Sequence, residues 1–446
     1  MAAGMRFEHE ASLPAAQLPC AVATADDMAG RADVSRPTDF GAVYDGRTDC
    51  SAAIQKCLDL GGTVLFEGCG TARVDRTVHI RRSGTWLKLD KDFCMMLGDQ
   101  VNAPILDTPG AAYFYDDPRV GTERLRGLTI TGGIFDGNAR NQTKGHNYLM
   151  PVLRIVDVDD FRLENVWLRN PRIYAAVIAG LDRFAIRNIR IHNDFAALNC
   201  DGLHFGGHVY NGVIDGITGN PADDMIGLNV GGDWKPKSNN PREEQARVGG
   251  ATNVVIRNLH CEKGCFRAVR LLCNDRYPID DVTIDGVTGE THAMGGVIGL
   301  TNWSEPAHFG KVVIRNVNCT NAGDQYSYLE DKSGSVFWIG NDASHAEMKV
   351  DCVVDTLEIS NVTLTADPSH RMAFMTLPKG ARVKRLSIDG VTVTNDGADL
   401  SDVDFLRGTG VNGQGKIDGV ATNAISCASG EWPYRAFAAE GLLNDK

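Results

Sequence analysis

The sequence predicts an all-β fold: a right-handed, single-stranded parallel β-helix with a helical cap at its N-terminal end. A short phrase recurs between residues 125 and 395: an apolar alternation, an Asn or Gly, then a second alternation. Its Asn/Gly positions are 165, 188, 216, 258, 286, 316, 361 and 390, so they step by 23, 28, 42, 28, 30, 45 and 29 residues. Coils of that length with two longer excursions suit a solenoid. A doubly wound α/β sheet would need helical patterns of roughly 10–15 residues between strands, and none is read here.

Residues 1–36 show no period and are read as an arm. From Asp39 the pattern sharpens into Asp39-Phe40-Gly41-Ala42. Asp49 is a reasonable N-cap, Ile54, Cys57 and Leu58 recur at helical spacing, and Gly61-Gly62 ends the run. A short helix is therefore expected over about residues 50–60, with a strand at Thr63 to Phe66. A helix here would cover apolar interior and strand edges that the first coil otherwise exposes.

The repeated phrase then runs from Phe161-Arg162-Leu163-Glu164-Asn165-Val166 to Leu386-Ser387-Ile388-Asp389-Gly390-Val391. Asn and Gly at one corner fit a left-handed residue between two strands. The alternation places Ile186, Ile214, Ile256 and Ile284, each two residues before its corner, in one interior row. The long steps mark loops at 231–251 and 319–350, which on a solenoid line the binding face. The β-helix is bounded at 37–405, as one catalytic domain. Residues 406–446, with Trp432-Pro433-Tyr434, are expected to form a C-terminal cap or arm.

Composition narrows the partners. The 446-residue chain is 43% hydrophobic and carries a net charge of −12. That balance argues against nucleic acid or an anionic membrane. No apolar run reaches the length of a membrane helix. Met1 to Glu10 lack an apolar signal core, so a cytoplasmic protein is expected, or a secreted one if a leader has been trimmed. The 12 cysteines are spread along the chain, often within apolar runs such as those at Cys57, Cys273, Cys319 and Cys352, and read as buried thiols. Cys261 and Cys265 beside His260 lack a second ligand pair for zinc, so no metal and no cofactor are expected.

The chemistry is expected in residues 199–229. Asp201 is followed by Asp223 and Asp224, 22 and 23 residues later, about one coil on. Carboxylates on neighbouring coils share a face and can act as acid and base on a sugar bond. Crowding raises their proton affinity, which can keep one protonated near neutral pH. An inverting hydrolase also needs room for water, roughly 6.5–9.5 Å between the two working groups.

Two further stretches carry a resemblance. The Asp39-Phe40-Gly41-Ala42 opening resembles that of pectate-lyase-superfamily β-helices, where this motif leads to a capping helix. Arg126 to Gly137, ending Gly133-Ile134-Phe135-Asp136-Gly137, is similar to a phrase before the catalytic coils of polygalacturonase-type glycoside hydrolases. Over roughly residues 38–275 the chain resembles that family, with Asn199-Cys200-Asp201 and Asp223-Asp224 in the family's order. The resemblance implies that Asp223 is the general acid and that Asp201 and Asp224 hold and deprotonate the attacking water. It places Arg270 on the family's substrate-carboxylate arginine. The chain departs from the pattern where a Gly-His-Gly is expected, since residues 231–250 hold no His, and at Leu272, where the family has a lysine. The lost lysine points to a neutral sugar, or to a carboxylate held in another way.

Further candidates for substrate contact are Asn199, His204, His208, Trp234, Arg267, Arg270 and Trp303. Aromatic faces stack on sugar rings, and Asn199 is either a ligand or a corner residue. On a regular strand, period 2 disfavours pairing of Asp201 with either His204 or His208. The partner expected is thus a carbohydrate. Two alternatives stand beside an inverting glycoside hydrolase. One is a polysaccharide lyase, with Arg267 or Arg270 as base. The other is a non-catalytic, tail-spike-like glycan binder, which would make a homotrimer natural.

Overall fold

One apolar position of the repeated phrase runs through the molecule as a continuous column. The computed structural model describes residues 33–108, 124–143, 150–194, 200–230, 249–292, 296–321, 334–341, 350–366, 372–395, 403–407 and 415–427. In it Leu163 pairs with Ile186, Ile186 with Ile214, Ile214 with Ile256 and Ile256 with Ile284. The column extends through Ile314 and Ile359 to Ile388. Every member is at most 2% exposed, and burying such a side chain is worth about 1.5–3 kcal/mol. Among the described residues, 29 strands join one stack, and every ladder between them is parallel, as in a β-helix.

The corners explain why Asn and Gly recur. Asn165, Asn188, Asn258, Asn316 and Asn361 have φ of 54–59°, and Gly216, Gly286 and Gly390 occupy the same left-handed region. Where Asn follows Asn, the amides bond, as Asn188 Nδ2 does to Asn165 Oδ1 at 3.1 Å. Where Gly leaves a gap, the preceding Asp accepts instead. Asp215 accepts from Asn258 at 2.7 Å and from Arg257 at 2.8 Å. Asp285 does the same for Asn316 and Arg315. Asp-Gly coils and Arg-Asn coils thus complement one another along the corner.

The strands fall into two kinds. Those such as Ile279–Thr291 alternate between buried and exposed residues. Those such as Asp224–Asn229 and Arg267–Leu272 are almost wholly buried on both faces. The site is built on this second sheet, which is covered on both faces.

The N-terminal helix is Ser51–Leu60, with Gly61 at its C-cap in a positive-φ conformation. Asp49 stands one residue before the N-cap position and accepts from the Ser51 backbone N–H at 2.9 Å. Ile54, Cys57 and Leu58 join the core. Two expectations need correction. Gly334–Asn341 is a strand paired with Ile298–Asn302, inside the stretch read as the loop 319–350. Its run Val336-Phe337-Trp338-Ile339 is buried on both faces, so it lacks the alternation that announces a half-exposed strand. Parallel pairing also passes the expected boundary at 405, because Val420–Cys427 adds to Ala381–Asn395. Trp432-Pro433-Tyr434 and most of the arm lie outside the described residues.

Candidate active site

Two columns of side chains cross this second sheet. Ala176 pairs with Leu203 and Leu203 with Ile226. Two residues back, the same register aligns Tyr174, Asp201 and Asp224, and Asp224 in turn pairs with Arg267. Three residues further along lie Val177, His204, Gly227 and Arg270. Coils stack at the strand spacing of roughly 4.7–4.9 Å, so groups more than 20 residues apart in the chain become neighbours.

The three aspartates converge. One oxygen from each of Asp201, Asp223 and Asp224 lies within 4.8 Å of the others. Asp201 is 5% and Asp224 2% exposed, whereas Asp223 is only partly buried. Asp223 Oδ1 accepts the Asp224 backbone N–H at 3.0 Å. Measured between nearest oxygens, the cluster is tighter than the separation expected for an inverting pair. Two guanidinium groups face Asp224, Arg267 at 3.7 Å and Arg270 at 4.0 Å. Three oxygens this close suit a hydrogen-bonded water or a hard cation; the positive charge already beside Asp224 favours the water.

His204 joins the cluster, contrary to the period-2 expectation. Its Nδ1 lies 2.5 Å from Asp201 Oδ2, and its ring stacks on Tyr174 with centroids 4.2 Å apart. The reason is local. The chain bends at Gly202, between the corner and the strand Leu203–Phe205. A Cβ at residue 202 would meet Met225 O at 2.5 Å, so only glycine fits. Across that bend strand alternation does not apply, and residues i and i+3 come to share a face.

Of the other candidates, Arg267 and Arg270 adjoin the cluster and His208 does not. His208 turns a left-handed corner (φ 59°) and stacks on Tyr210. Burial, with Arg124 adding, pushes its imidazole down to about 4. None of its described contacts is to the aspartates. Arg267 is 2% exposed, a buried partner of Asp224. Arg270 lies over the Trp303 ring at 5.1 Å, so these two form one platform beside the cluster. Leu272 follows Arg270 on the same face and is 1% exposed. Asn199 and Trp234 lie outside the described residues.

Sequence reasoning missed Tyr174, Gly227 and Asn229. A Cβ on Gly227 would lie 2.9 Å from Asp201 Oδ2, 3.5 Å from Asn229 Nδ2 and 3.6 Å from His204 Nδ1. Gly227 therefore leaves open the space between these groups. The signal was the coil register, which aligns Tyr174 with Asp201 across 27 residues and His204 with Gly227 across 23.

No protein-family model and no curated protein sequence matches the chain. Solved structures do match. A hyperthermoactive exopolygalacturonase from Thermotoga maritima superposes with a TM-score of 0.60 at 13% identity, over 89% of this chain and 95% of that one. The pre-mature gene product 12 of bacteriophage phi29 gives 0.52 at 14% identity, over 87% of this chain and 56% of that one. The A-module of the Azotobacter vinelandii mannuronan C-5 epimerase AlgE4 gives 0.50 at 13% identity, over 88% and 97%. At such identities the likeness establishes the fold, that of pectate-lyase-type β-helices.

Proposed function

We propose that the protein is a glycoside hydrolase that acts on a polysaccharide or oligosaccharide with inversion at the anomeric carbon. The observation that carries this reading is the convergence of three carboxylates from two coils, one more exposed than the other two. Asp223, the most accessible of the three, gives its proton to the leaving glycosidic oxygen. Asp201 and Asp224 hold a water and take its proton as its oxygen bonds to the anomeric carbon. A water that donates two hydrogen bonds of roughly 2.7–2.8 Å at a near-tetrahedral angle spans roughly 4.5 Å between acceptors. The oxygen separation of up to 4.8 Å suits that bridge.

The Arg270–Trp303 platform offers a cationic edge and an aromatic face to a sugar ring. With Leu272 in place of a lysine, the reading favours a neutral sugar. Purified protein on a panel of polysaccharides and aryl glycosides, in ¹⁸O-labelled water, tests the proposal. Hydrolysis puts the label on the new reducing end, and proton NMR in the first minutes shows the inverted anomer. A retained anomer refutes the assigned roles, and an unlabelled product refutes hydrolysis.

His204 supports a second reading. A buried imidazole among carboxylates is a candidate base for removing a proton α to a uronate carboxylate, as a polysaccharide lyase requires. An unsaturated, ultraviolet-absorbing product would select that reading.

A further inference from the structure

We propose that His204 is a positioning residue for Asp201, fixing the rotamer and the hydrogen-bond direction of the carboxylate that deprotonates water. The inference rests on the hydrolase reading above. His204 Nδ1 and Asp201 Oδ2 are 2.5 Å apart, and both side chains are nearly buried, at 3% and 7% exposure. A hydrogen bond to a carboxylate is among the stronger kinds, and it is stronger still away from water. The imidazole is itself held. It stacks on Tyr174 at 4.2 Å with the planes 19° apart, and Tyr174 packs with Met150, Ile173 and Val177 in a small apolar cluster on the outer face of the sheet.

On the following coil the neighbour of His204 is Gly227. The absence of a side chain there leaves ring and carboxylate their space, since a Cβ would crowd Asp201 Oδ2 at 2.9 Å. The chain of support therefore runs from Tyr174 to His204 to Asp201, one element on each of two successive coils. A carboxylate that must hold water in one direction gains from such a clamp, because small misplacements of a reacting group cost rate steeply.

Three variants separate the roles of the ring. His204→Phe keeps the stack on Tyr174 and removes the N–H. His204→Ala removes both. His204→Asn restores an N–H near the place of Nδ1. We expect kcat to fall about 10- to 100-fold in H204F and H204A, as for loss of a hydrogen bond to a charged group, with KM within about threefold of the parent. H204N should recover to within about fivefold. Because His204 acts through Asp201, the D201N/H204F double variant should be no slower than D201N alone. Parent-like kcat in H204F, or a double variant slowed by the product of the single losses, would overturn the proposal. Should H204F melt early, H204A in added imidazole decides: recovered kcat supports the role and no recovery overturns it. Absence of turnover by the parent on every glycan would instead refute the hydrolase reading itself.

Discussion

Replacing Asp223 by Asn separates proton donation from every other role of that residue. In the structure Asp223 Oδ1 accepts the Asp224 backbone N–H at 3.0 Å. An Asn carbonyl oxygen keeps that bond, so the turn leading into Asp224–Asn229 should persist. A protonated Asp223 is already neutral, so the change leaves the charge of the cluster as it was, and thermal stability should stay near the parent's. What disappears is the proton for the leaving oxygen. General acid catalysis contributes roughly 10²–10⁴ in rate, or about 2.7–5.4 kcal/mol of barrier. On a natural glycan, with a poor leaving group, initial rates of reducing-end release should therefore drop at least about a hundredfold. On an activated aryl glycoside of the same sugar, followed by absorbance, the loss should shrink to about tenfold or less. Asp201→Asn and Asp224→Asn should slow both substrates alike, because both still need an activated water. A D223N enzyme as fast as the parent on the natural glycan, or equally slowed on both substrates, would refute the assignment.

Other consequences can be measured independently. Ile256 is fully buried between Ile214 and Ile284, so Ile256→Ala should cost about 2–5 kcal/mol in chemical unfolding; a change under about 0.5 kcal/mol would contradict the interior column. If the resemblance to polygalacturonase-type hydrolases holds at Leu272, where that family has a lysine, activity on polygalacturonate should be weak or absent, and the net charge of −12 points the same way; efficient cleavage at ordinary salt would show otherwise. His208 is depressed to about 4 from its usual 6.5, chiefly by burial. The unfolded chain therefore binds the proton first, and the contribution of His208 to stability is full above pH 6.5 and lost as pH falls towards 4. Allowing for its partial exposure, about 1–2 kcal/mol is at stake. Tm against pH for the parent and for His208→Gln should diverge over that window, and parallel curves would refute it.

The solenoid was legible in the chain because its information is local. Each coil repeats the same alternation and the same left-handed Asn or Gly, so Ile256 announces its place two residues before Asn258 without knowledge of its neighbours. The aspartate cluster was nearly as legible, since no long excursion separates Asp201 from Asp224, and 23 residues make one coil. Arg267 was harder to place. It stands 43 residues after Asp224, and only strand pairing shows that the two share a register. The strand Gly334–Asn341 was hidden because both of its faces are buried, which removes the period-2 signal. The His204–Asp201 pair depended wholly on tertiary structure. Strand periodicity turns residues i and i+3 to opposite faces, and the bend at Gly202, where the carbonyl of Met225 on the next coil leaves no room for a side chain, brings them together. Residue types and spacings determined which groups each coil would carry. The stacking of coils, a contact between distant segments, decided which of those groups meet.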